Sequence, residues 1–384
     1  MKKYAKQLQI QFFNPGGFPD RPTDEEIREA LAHPKCPLNK VIVSKENEGN
    51  MSTLKTFAFN AFGLPNHSCR GMSFAIYATS GQGKTFIVRQ FAETIGIPFV
   101  FVQADALSST YNLFQLICET FAKKGIKIVE VAKDEYQIPP CILFFDEAHA
   151  LSKSLMQGGL LNGMEYGDGW MKITTGTGKK TRTFKVDCRE ICWVGATTEE
   201  GKLFDAFAQR LGTTLRWQPA GKKEIAQIIK LNYPHFSEEA CNAVAKYRIV
   251  PRLAKDFARL MEMTKNQHGN NWQTAARIVA DNLGLDEFGM DRREVKILEA
   301  LGSRPISKDN LQRVANCKAE ALERVILPPL MSVAGNGPYV VSTSRGITLT
   351  RAGLAELDRR GIEHAGDQVT AEYMDERRYA KHSA

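Results

Sequence analysis

The sequence predicts an α/β fold: a domain built on a parallel sheet, followed by a small helical domain and a winged helix. Three observations predict it. From Ser73 onward, short and almost wholly apolar runs alternate with amphipathic helical segments, the pattern of strands buried on both faces. After Pro219 the strand-like runs stop, and segments with helical spacing take their place. Beyond Gly284 and Gly289, three more helical segments lead into two short strands, the order of a winged helix-turn-helix.

Composition bounds the answer. At 384 residues the chain is too long for one ordinary core, and at roughly 150 residues per domain it divides into two or three. An apolar share of 43% and a charged share of 24% exclude general disorder and fibrous structure. No run approaches the ~18 apolar residues that cross a bilayer. The basic start, MKKYAKQLQIQFF, has no apolar core or cleavage site, so a cytoplasmic location is expected. The eight cysteines form no CxxC pair and read as reduced thiols. Lys and Arg total 51 against 43 Asp and Glu, a net charge of +8 that is compatible with nucleic acid without establishing it.

In chain order, residues 1–34 read as an appendage broken by Asn14-Pro15-Gly16-Gly17, with Thr23-Asp24-Glu25-Glu26 capping a short helix. The α/β domain is expected over 35–218. Its strands are expected at Ser73–Ala78, Pro98–Gln103, Cys141–Phe145, Ile191–Gly195 and Thr214–Trp217, with helices at Lys84–Ile95 and Ser108–Lys124 between them. A helical domain over 219–285 follows, with helices at Lys222–Lys230, Glu238–Lys246, Arg252–Met263 and Asn271–Asn282. The winged unit spans 290–360: Asp291–Leu301, Ser307–Ala315 and Lys318–Met331, then Tyr339–Ser342, a turn at Ser344-Arg345-Gly346, and Ile347–Thr350. Residues 361–384 are expected to fray.

The strongest chemical signal is Ala78-Thr79-Ser80-Gly81-Gln82-Gly83-Lys84-Thr85, between a strand and a helix. That placement turns backbone N–H groups and a helix N-terminus toward an anion, so Ser80, Gly81, Gln82 and Gly83 are expected to cradle phosphates. Lys84 would reach the β- and γ-phosphates and Thr85 would ligate Mg²⁺. Ala78 occupies the place of the usual first glycine. About 60 residues on, Ile142-Leu143-Phe144-Phe145 ends in Asp146-Glu147. A carboxylate at a strand tip can hold the Mg²⁺ shell, the role for Asp146, and Glu147 can polarise the attacking water. Nucleoside triphosphate hydrolysis is the expected chemistry. Asp146-Glu147-Ala148-His149 also spells the motif of DEAH-box helicases, but no second domain of that kind follows, and His149 reads as an ordinary loop residue.

Strand, loop and GKT helix, then an Asp-Glu strand, then Gly195-Ala196-Thr197-Thr198 ending the next strand: this order resembles the AAA+ ATPases. Within them it is similar to the RuvB-type Holliday-junction branch-migration motors, over about residues 34–360. The resemblance implies ATP and Mg²⁺ as cofactors. It implies Thr198 as the sensor of the γ-phosphate and Arg210, in Ala208-Gln209-Arg210-Leu211-Gly212, as an arginine finger reaching a neighbouring subunit's nucleotide. It also implies Arg252, in Val250-Pro251-Arg252-Leu253-Ala254, as the lid arginine. A homo-oligomer, a hexameric ring or spiral, follows from a finger acting in trans. Ala208 departs from the family, which often has another arginine there.

Two surfaces point to nucleic acid. Residues 171–187 read as a β-hairpin with a Gly176-Thr177-Gly178-Lys179-Lys180 tip, and they carry Lys172, Lys179, Lys180, Arg182 and Lys185 against Asp187 alone. Related motors use such a hairpin either to touch DNA or to dock a junction-recognising partner. In the winged unit, Arg345 matches a DNA-facing arginine of the family, and Arg313, Lys318, Arg324 and Arg351 are candidate phosphate contacts. The expected partner is double-stranded or four-way-junction DNA. The alternatives are a helicase or initiator loader, a transposition regulator, or a nucleotide-gated scaffold with little turnover.

Overall fold

In the computed structural model, residues 23–63, 71–165, 167–175, 181–199, 201–269, 271–331, 338–343 and 346–365 are described. The chain before residue 23, the hairpin tip with Lys179 and Lys180, the wing-tip residue Arg345 and the tail beyond 365 lie outside them. The chain divides into two compact units at Trp217/Gln218, with Thr79–Gln82 grouped with the second.

The first unit is organised by five strands: β1 (Phe74–Tyr77), β2 (Phe99–Gln103), β5 (Cys141–Asp146), β8 (Ile191–Thr197) and β9 (Thr213–Arg216). They pair in parallel in the order β2-β5-β8-β1-β9. Alternate residues feed opposite faces. Phe74, Ile76, Phe144 and Val194 pack on one side with α1 (Asp24–Ala32), α2 (Glu48–Gly63) and α3 (Lys84–Ile95). Ala75, Leu143, Phe145 and Trp193 pack on the other with α4 (Thr110–Lys123) and α5 (Asp205–Leu211). Phe145 stacks on Trp193 at 6.2 Å and meets Phe207 edge-on at 5.8 Å. Each such buried ring contributes about 1.5–3 kcal/mol by leaving water. Burial on both faces is why these strands carry no polar alternation.

Helix α1 has a complete capping box between Thr23 and Glu26. It buries Ile27 and Leu31 in the same cluster as Ile76, so the polypeptide shows no break in packing at residue 34. The seven cysteines among the described residues are free thiols, and burial pushes the Cys188 thiol far up.

A second sheet joins β3 (Val129–Ala132), β4 (Glu135–Gln137), β6 (Trp170–Thr175) and β7 (Arg182–Asp187) in the order β3-β4-β7-β6. The β6–β7 hairpin is therefore backed by a β3–β4 hairpin that the sequence did not reveal, through parallel pairing of Glu135 with Lys185 and Gln137 with Asp187. Its underside is fixed by Phe114, Tyr136 and Phe184, with ring centroids 5.2–6.2 Å apart. Its outer face carries Lys172 opposite Lys185 and a Thr174–Thr183 hydroxyl pair at 3.2 Å.

In the second unit, α6 (Lys222–Asn232), α7 (Glu238–Tyr247), α8 (Pro251–His268) and α9 (Trp272–Asn282) share one core around Phe236 and Phe257. A separate core holds α10 (Arg292–Leu301), α11 (Lys308–Val314), a helical run over 319–331 (α12), strands β10 (Val340–Thr343) and β11 (Gly346–Leu349), and α13 (Arg351–Arg359). Strands β10 and β11 pair antiparallel, which makes this a winged helix with an added C-terminal helix.

Candidate nucleotide-binding and hydrolysis site

Three neighbouring parallel strands, β5, β8 and β1, end at one edge of the sheet, and that edge collects the chemistry. Brackets of this kind at the carboxyl ends of parallel strands are where open α/β sheets bind ligands. Strand β1 runs into the loop before α3, β5 ends in Asp146, and β8, lying between them, ends in Thr197.

The loop has the backbone an anion cradle needs. Gly81 and Gly83 have φ of +81° and +88°, which side chains resist. At Gly81 a Cβ would also come within 2.7 Å of Val250 Cγ1. Ala78 has no such positive φ, and its methyl group is buried in the core beneath the sheet, so the missing first glycine costs the backbone nothing. Lys84 opens α3 nearly buried and donates from Nζ to the Ala78 carbonyl at 2.9 Å. Within the second unit, Gln82 Oε1 accepts from the Ala220 N–H at 3.2 Å. The Gln82 Nε2 and Thr79 Oγ1 atoms are buried without a hydrogen-bond partner. Unpaired polar atoms in a glycine cradle fit a loop whose partners arrive with a ligand.

Glu147 follows Asp146 in a left-handed conformation, φ 50° and ψ 50°. This turn carries its carboxylate back toward the tip of β8, where Thr198 Oγ1 donates to Glu147 Oε2 at 3.2 Å. His149 belongs to the same cluster, contrary to its reading as an ordinary loop residue. Its Nδ1 lies 2.7 Å from Thr197 Oγ1 and 3.4 Å from Glu147 Oε2, and its Nε2 lies 3.3 Å from Glu199 Oε1. The signal for it was present in Asp146-Glu147-Ala148-His149; the partners at 197 and 199 were not legible.

The donors suited to a cation here are the Thr85 hydroxyl and the Asp146 carboxylate, hard oxygens of the type Mg²⁺ takes. No cage of three or more His, Cys, Asp or Glu side chains forms among the described residues. Nucleotide-bound Mg²⁺ requires none, since phosphates and waters fill most of its shell.

Three arginines assigned from the sequence have surroundings of their own. Arg210, near the end of α5, donates from Nε to Glu165 Oε1 at 3.0 Å, pairs with the same carboxylate through Nη2, and donates from Nη1 to the Ala206 carbonyl at 3.0 Å. Glu165 is a partner the sequence did not reveal, 45 residues away. Arg252 sits exposed in the first turn of α8, which Pro251 opens. Arg182 lies exposed on β7 opposite Thr175.

Comparison with known proteins gives a consistent setting. Residues 74–218 match the ATPase family associated with various cellular activities (AAA). A Holliday junction branch migration complex subunit RuvB from Sulfurimonas denitrificans is 30% identical over 221 residues, which are 53% of this chain and 62% of that protein. The RuvB subunit of Campylobacter hominis is 26% identical over 289 residues, 71% of this chain and 76% of that protein. Among solved structures, the Thermotoga maritima RuvB Holliday junction branch migration motor has the same fold, with a TM-score of 0.60, 19% identity, and coverage of 82% of this chain and 95% of that one.

Proposed function

We propose that this chain, an AAA+ ATPase resembling the RuvB-type Holliday-junction branch-migration motors, hydrolyses ATP to move four-way-junction or duplex DNA in recombination and repair. The observation that carries the reading is the meeting of Glu147 with Thr198 at 3.2 Å, at the sheet edge where β1 also ends and Lys84 donates to the Ala78 carbonyl. In this reading the N–H groups of Ser80–Gly83 and the Lys84 ammonium hold the phosphates. Thr85 and Asp146 hold Mg²⁺, which supplies charge neutralisation on the phosphate oxygens. Glu147 orients and deprotonates the attacking water, and Thr198 fixes the Glu147 carboxylate while facing the γ-phosphate.

Arg210 acts on a neighbouring copy's nucleotide, within a homo-oligomeric ring or spiral, and Arg252 senses nucleotide from the lid. In the single chain Arg210 is bound to Glu165, so assembly exchanges a carboxylate for a phosphate at the same guanidinium. The winged helix supplies DNA contacts: Arg313 and Lys318 are exposed, and Arg345 is assigned to the wing tip. Such contacts to phosphate position a duplex without reading its sequence. The hairpin with Lys172, Arg182 and Lys185, and with Lys179 and Lys180 at its tip, takes either DNA or a junction-recognising accessory protein. No helix among the described residues is long and apolar enough to cross a membrane; the reading places the motor with DNA in the cytoplasm.

The test is the ATPase rate with no DNA, with linear duplex and with a synthetic four-way junction. Stimulation by DNA, greatest with the junction, is expected. Turnover indifferent to DNA would favour a loader or transposition regulator.

A further inference from the structure

Glu147 is one of three non-glycine residues with positive φ among the described residues. For such a residue the left-handed conformation costs on the order of 1–2 kcal/mol, and it persists only where neighbours over-determine it. Two neighbours meet the Glu147 carboxylate at one oxygen. Thr198 donates to its Oε2, and the His149 ring lies against the same oxygen, with Nδ1 3.4 Å away. The His149 ring is in turn held at both nitrogens. Nε2 faces the Glu199 carboxylate, which is itself paired with Lys202, and Nδ1 meets the hydroxyl of Thr197. Thr197 is completely buried, pairs with Tyr77 across to β1, and accepts the N–H of Glu199 at 3.0 Å. Ala148, between Glu147 and His149, is buried against the core and pins the turn.

We propose that His149 is a positioning residue, which locks the strained Glu147 turn to the tip of β8 so that the water-activating carboxylate and the γ-phosphate-facing Thr198 keep one fixed geometry. The inference rests on the site being the hydrolytic one. With Nε2–H directed at Glu199, Nδ1 accepts from the Thr197 hydroxyl, and the ring stands as a wall against one side of the Glu147 carboxylate. Without the ring, the carboxylate keeps only the Thr198 bond and can swing. Misplacement of a reacting group by about 1 Å can cost on the order of 100-fold in rate.

The experiment compares wild type, His149→Ala, His149→Asn, Thr197→Val, the His149→Ala/Thr197→Val double variant and Glu147→Gln. Steady-state kcat and KM for ATP are measured, with direct binding of a fluorescent ATP analogue as a readout independent of turnover. His149→Ala is expected to lower kcat on the order of 10-fold to 100-fold while leaving analogue affinity within about twofold. His149→Asn, whose amide can still meet Thr197, is expected to recover part of the loss. The double variant is expected to be no worse than the poorer single one, since both cut the same connection. An unchanged kcat in His149→Ala overturns the proposal. So do losses that multiply in the double variant, or a fall in kcat matched by lost nucleotide binding without rescue by Asn. A wild type that turns over no faster than Glu147→Gln would instead overturn the reading of the site, and the inference with it.

Discussion

The carboxyl of Glu294, in the first turn of α10, offers a quantitative test of how the C-terminal unit is held together. Its side chain is 5% exposed and accepts from the Asp291 N–H at 2.7 Å as half of a capping box. Burial pushes its pKa from 4.5 up to about 7; the hydrogen bond from the Asp291 N–H and the Arg248 charge oppose the rise, and the Asp291 and Asp286 charges add to it. Between those values the folded chain holds a proton that the unfolded chain has released, so stability falls as pH rises across the window. From pH 5 to pH 8 the loss is about 2–3 kcal/mol. Glu294→Gln keeps an acceptor for the capping box and removes the charge. Hydrogen exchange of the most protected α10 amides, comparing the two proteins at each pH, isolates the effect from intrinsic exchange rates. The protection ratio of variant to wild type is expected to be roughly 70-fold higher at pH 8 than at pH 5. A ratio that does not change with pH would refute the reasoning, because the charge would then carry no desolvation cost.

Other consequences concern the nucleotide and DNA. Lys84→Ala removes charge-assisted contacts worth about 1.5–3 kcal/mol each, and equilibrium titration should show ATP affinity lowered at least tenfold; retained affinity would refute the loop assignment. Arg210→Ala should bind ATP and hydrolyse it on the order of 10³-fold more slowly, and mixing with Glu147→Gln subunits should restore some turnover if the finger acts in trans. Glu165→Gln weakens a half-exposed ion pair of about 1 kcal/mol, so turnover of the assembled protein should rise by up to about fivefold; a fall would mean that Glu165 aims the finger. Arg345→Ala should weaken duplex binding evenly across sequences and flatten its salt dependence by about one unit, whereas an altered sequence preference would mean that the wing reads bases.

The central sheet was legible because its strands are short runs of apolar residues such as Cys141–Phe145, for which no amphipathic period competes. The β3–β4 hairpin was not. Val129–Ala132 and Glu135–Gln137 are four and three residues long, exposed or half-buried, and completed by a parallel partner about 50 residues away. Helix α2 was missed because Gly49 and Asn50 obscure its start, and α13 because the wing directly before it ends the familiar pattern. In the candidate site, residues within a single motif, Thr79–Thr85 and Asp146-Glu147, stand out from sequence because their spacing is local. The pairings of His149 with Thr197 and of Arg210 with Glu165 are created by sheet order and by packing of separate segments, and no periodicity encodes either.

The most direct measurement is the fate of a synthetic four-way junction, separated by electrophoresis, with wild-type protein and ATP, with a non-hydrolysable analogue, and with Glu147→Gln and ATP. The account predicts conversion of the junction into duplex arms in the first case alone. A junction that stays intact while wild-type protein consumes ATP would contradict it.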